Sequence, residues 1–89
     1  MSEASNLKAL LAEKFYKARD VLGGISTSAP EYIETAGKYQ GYFTGIMHAT
    51  EALGASPADQ ETAGKVVDYF EGEIARAQDA ADLVSRLGL

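Results

Sequence analysis

Apolar positions along this chain recur three and four apart, the spacing of one face of an α-helix. Leu7, Leu10, Leu11, Phe15, Ala18, Val21 and Leu22 form the first such stripe. It predicts a helix over about 6–22, with Ser5 available as its N-cap and Gly23-Gly24 as a left-handed stop. Ile33, Ala36, Tyr39, Phe43, Ile46, Met47 and Leu53 form the second, over about 29–53, with Gly54 as its stop. Two starts compete for this helix. Ser28-Ala29-Pro30-Glu31 fits the S-x-x-E capping box, whereas a cap at Ala29 puts Pro30 at the first helical position.

The third helix begins at Ser56-Pro57-Ala58-Asp59, which offers a capping serine, proline at the first position and an acid at the third. Ala63, Val67, Phe70, Ile74, Ala77, Ala81, Val84 and Gly88 then alternate four and three apart, an a/d seam of about three heptads. The pattern predicts a helix over 57–87, about 46 Å long, unless Gly64 breaks or kinks it. The expected fold is all-α, with a shorter N-terminal helix and two long antiparallel helices in a single domain. The third helix carries more seam than the first can cover. A homo-oligomer is therefore expected, with Phe70 and Ile74 in its interface; the competing reading is a kink at Gly64 and a closed monomeric bundle.

One segment runs against helix propensity. Gly37, Gly41 and Gly45 stand four apart, continued by Ala49, and each glycine costs about 1 kcal/mol relative to alanine. Residues four apart share a helix face, so the row is a groove without side chains, walled by Tyr39, Tyr42 and Phe43. Such a row lets two helix backbones approach closely. It predicts helix–helix contact, within the chain or between copies; close approach of a ligand to the bare backbone is the competing reading.

Composition narrows the function. An apolar content of 46% with 24% charged residues fits a folded protein of 89 residues. There is no cysteine, hence no disulfide or thiolate site. No apolar run approaches the ~20 residues of a membrane span. Met1–Asn6 lacks the basic start of a secretion signal, so a cytoplasmic location is expected. The net charge of −5 is uneven: residues 1–24 balance to +1 and residues 56–89 to −4. Such a molecule repels duplex nucleic acid. Its N-terminal third can still serve a small anion.

Catalytic chemistry finds no support in the motifs. His48 is the single histidine, and no nucleophile motif accompanies it. Glu71-x-Glu73 and Asp79-x-x-Asp82 read as a solvated helix face rather than metal ligands. No catalytic residue, metal or cofactor is indicated. The connection Gly23-Gly24-Ile25-Ser26-Thr27-Ser28 differs in kind, because it runs into a helix N-terminus, where free N–H groups attract anions. Lys14, Lys17 and Arg19 lie just upstream, and Tyr16 offers a ring on which a base can stack. These residues nominate a nucleotide or phosphate site, although no P-loop is present.

The helix order, the Gly-Gly-Ile-Ser-Thr-Ser-Ala-Pro connection and the Lys38-Tyr39-Gln40-Gly41-Tyr42-Phe43-Thr44-Gly45 centre resemble the phage anti-CBASS sponges, which sequester cyclic oligonucleotides. That resemblance spans most of the chain. It implies binding without turnover, in interlocked hexamers, with cyclic dinucleotides held between protomers by Tyr16, Lys17, Ser26, Thr27 and Ser28. It also implies a separate cyclic trinucleotide site with a cation, for which Arg76 or Lys65 is available. The family carries a lysine in or just after the first loop; here the next lysine is Lys38. The function expected on this basis is sequestration of cyclic oligonucleotide signals, blocking host anti-phage immune signalling. The alternatives are a small acidic protein–protein inhibitor or adaptor, engaging a basic partner through the third helix, and a structural phage component.

Overall fold

The computed structural model describes residues 3–88, which form three helices and no strand. They are α1 (Glu3–Gly23), α2 (Pro30–Ala52) and α3 (Pro57–Leu87). With 21 residues, α1 begins three residues earlier than the apolar stripe suggested, and Ser5 lies inside it. It is therefore nearly as long as the 23-residue α2, and only α3, at 31 residues, stands apart in length.

The helix ends follow local chemistry, with one alternative decided and one correction. Ala29, not Ser28, caps α2, with no side-chain hydrogen bond and Pro30 in the first turn; Ser28 Oγ instead lies 3.1 Å from Ser26 Oγ. Gly23 and Gly24 are not left-handed. α1 ends in a tightened turn, where Gly24 N–H donates to the Val21 carbonyl and Ile25 N–H to that of Leu22. Gly54 does stop α2, at φ 73°. The N–H groups of Gly54 and Ala55 donate to the carbonyls of Glu51 and Thr50, a Schellman closure that a Cβ at residue 54 would strain. Ser56 caps α3 by accepting from Asp59 N–H at 3.2 Å.

Heptad-like spacing places the core. Leu11, Ala18 and Leu22 of α1, Tyr32, Ala36 and Phe43 of α2, and Ala63, Val67, Phe70 and Ala77 of α3 are buried. The alanines let the helices approach, and Phe43 and Phe70 fill the centre, stacked at 5.3 Å with ring planes 9° apart. Leu10, Val21 and Leu53 leave the expected stripes and are exposed, Leu53 at 86%, while Tyr32 is buried in their stead. The Tyr32 hydroxyl donates to Glu73 Oε2 at 2.6 Å. Thr50, the buried polar residue, is satisfied by donating to the Met47 carbonyl.

α2 and α3 form the dominant antiparallel pair, and α1 touches both more sparsely. α3 passes Gly64 as one unbroken helix, so the molecule extends to 54 Å along its longest axis. Beyond Ala77, Ala81 and Val84 are half-buried, whereas Leu83 and Leu87 are exposed. Among the described residues no helix is long and apolar enough to cross a membrane.

Candidate functional site

The buried stripe Leu11–Ala18–Leu22 divides the surface of α1 into two flanks. Lys14, Lys17 and Val21 recur at helical spacing on one flank, which α2 meets with Lys38, Tyr39 and Tyr42. Between them lies a groove of about 620 Å³, within the range of small-molecule sites. Phe43, almost fully buried, forms part of the lining, and Tyr42 stands edge-on to it at 5.2 Å. Thr35 adds a hydroxyl at the side.

Three of the chain's five lysines thus converge on one groove of a molecule whose net charge is −5. Among the described residues Lys14 and Lys38 make no ion pair, and Lys17 meets Glu13 at 3.7 Å in an exposed i,i+4 contact. The lining contains no carboxylate, imidazole or thiol. Such a site offers cations to an anion and phenol faces to a flat ring.

The residues nominated from sequence are dispersed. Lys17 lines this groove. Tyr16 does not: neighbours on a helix point about 100° apart, so its ring faces the opposite groove, between α1 and α3. Ser26, Thr27 and Ser28 are exposed in the α1–α2 connection and line neither this groove nor the one between α1 and α3. Arg76 lies on α3, ion-paired with Glu73, the carboxylate that also accepts from Tyr32. His48 is exposed beside Glu51, outside the groove.

The glycine row is also relocated. Gly41 and Gly45 are exposed, and a Cβ added at Gly37, Gly41 or Gly45 would meet nothing within 4 Å. The row therefore faces away from α1 and α3, and helix contact within the chain is not its role. Phe70 is fully buried in the core and has no surface to present to a second copy; Ile74 is half-buried.

Sequence reasoning gave Lys38 no site and set Tyr39 and Tyr42 as walls of the glycine row, whereas all three line this groove. The signal was present as Lys38/Tyr42 and Thr35/Tyr39, two i,i+4 pairs on adjoining strips of α2. What could not be read was that this flank of α2 faces the lysines of α1. No protein family model, curated protein or solved structure matches the chain.

Proposed function

We propose that the protein binds an anionic nucleotide in the α1/α2 groove and sequesters it without turnover. The observation that carries this reading is the convergence of Lys14, Lys17 and Lys38 on a tyrosine-walled groove in an otherwise acidic chain. Lysines supply point charges to phosphate, and stacking on an aromatic ring contributes about 1–3 kcal/mol per base. The lining joins three cations to two phenol rings, a set suited to holding a phosphate and a base, and it places no carboxylate, imidazole or thiol beside them; this supports retention of the ligand. Cyclic oligonucleotides combine the required charge and flat rings, and their removal would silence host anti-phage immune signalling by stoichiometric titration.

The test is a thermal-shift series with cyclic di- and trinucleotides, followed by heat release and chromatography of the ligand. Stabilisation with intact ligand recovered is the expected result. Degraded ligand would make the protein an enzyme. No shift with any nucleotide would favour an adaptor that uses the acidic surface of α3, where Glu61, Asp68, Glu71, Asp79 and Asp82 are exposed.

A homo-oligomer is part of the proposal. The groove is open on one side, and a second copy packed on the bare glycine face of α2 would help to close it. Gly41→Leu tests this, because residue 41 has open space in the chain's own fold. The variant is expected to keep or raise the unfolding midpoint, since leucine favours helix by most of 1 kcal/mol over glycine, and to shift light scattering towards the 9.4 kDa monomer. An unchanged assembly, or a 9.4 kDa parent, would remove self-association from the proposal.

A further inference from the structure

The other flank of α1 borders a second groove, shared with α3, of about 380 Å³. Its walls are apolar and aromatic: Phe15 and Tyr16 of α1 face Val66 and Tyr69 of α3. Phe15 meets Tyr69 edge-on at 5.0 Å and Tyr16 at 5.9 Å, yet Tyr16 remains 61% exposed. Lys8 and Lys65 belong to the same lining.

The polarity of the helices orders these groups. α1 and α3 each run antiparallel to α2 and so run parallel to each other. Lys8 lies two turns before Phe15–Tyr16, and Lys65 one turn before Tyr69. Both cations therefore belong to one end of the groove and the rings to the other. Lys8 has no ion-pair partner among the described residues, and Lys65 meets Glu61 at 3.6 Å in an exposed contact. The lining itself contains no carboxylate.

We propose that this groove binds a linear alkyl monoanion of the medium-chain carboxylate class. The head sits between Lys8 and Lys65, and the chain lies along Tyr16, Val66 and Tyr69. The eight residues from Lys8 to Tyr16 span about 12 Å, a length that suits such a chain. A nucleobase fits less well, because beyond the two lysines at one end its polar edges would face walls that offer only the Thr62 and tyrosine hydroxyls. The site is separate from the lysine groove and does not depend on nucleotide binding there.

The experiment is an amide-resolved NMR titration of the full chain with hexanoate, octanoate and decanoate, and with octanol as the uncharged control. Shifts are expected to concentrate at residues 8–16 and 62–69. Affinity should rise two- to fourfold per added methylene, full burial of one being equivalent to roughly fourfold. Octanol should bind several-fold more weakly than octanoate. Lys8→Gln should weaken octanoate roughly fivefold and leave octanol unchanged, Tyr16→Ala should weaken both, and Lys14→Ala with Lys38→Ala should change neither. Circular dichroism verifies that each variant is folded; all the substituted side chains are exposed or half-buried. Absence of binding, equal affinity for octanol and octanoate, or indifference to Lys8→Gln would overturn the assignment.

Discussion

Replacing Phe70 with alanine is expected to lower the free energy of unfolding by about 3–5 kcal/mol, the cost of emptying a fully buried phenylalanine site. Phe70 is 0% exposed and stacks on Phe43. It also lies 6.0 Å from Phe15 and 5.8 Å from Tyr39, so its ring joins all three helices. Because small domains are stable by only about 5–15 kcal/mol, this loss removes a large share of the total. Urea denaturation followed by helical circular dichroism measures it. Leu53→Ala, at an 86% exposed site, is the control and should stay within about 0.5 kcal/mol of the parent. A Phe70→Ala cost below about 1 kcal/mol would mean that the aromatic centre does not hold α1 on the hairpin.

The second large effect concerns the ligand. The double variant Lys14→Ala with Lys38→Ala should weaken nucleotide binding on the order of 100-fold, because a hydrogen bond to a charged group contributes about 1.5–3 kcal/mol. Lys17→Ala should cost less, since Glu13 already competes for that ammonium. Affinity should also fall as salt rises, in keeping with screening at an open site. Stability should change by no more than about 0.5 kcal/mol, as Lys38 is exposed and Lys14 only half-buried. Titration calorimetry at two salt concentrations measures both effects. Full affinity in the double variant, together with its loss in Tyr16→Ala, would move the nucleotide to the α1/α3 groove and refute the lysine site.

Tyr16 and Lys17 show how far sequence reasoning reached. Their adjacency, beside a serine-rich connection, read as one site. On a helix, adjacency is divergence: one residue faces α3 and the other faces α2. The residues that do converge, Lys14 and Lys38, are separated by a helix end, a connection and two turns of α2. Nothing local links them. The glycine row shows the same limit, because its spacing identifies a bare face but not the direction in which that face points.

The starts of α2 and α3 and the stop of α2 were determined by the sequence itself, because they depend on groups within four residues: Pro30 and Pro57 in first turns, the Ser56 cap, and Gly54 in the left-handed closure. The core seam of α3 was legible for the same reason, since heptad spacing is a property of one helix. Tertiary structure alone decided which flank of α1 meets α2 and which meets α3. An amphipathic stripe specifies the buried side of a helix, but not the hand in which three such helices close around a core. That hand divides the cations and rings of α1 between two grooves, one with three lysines and one with an apolar floor.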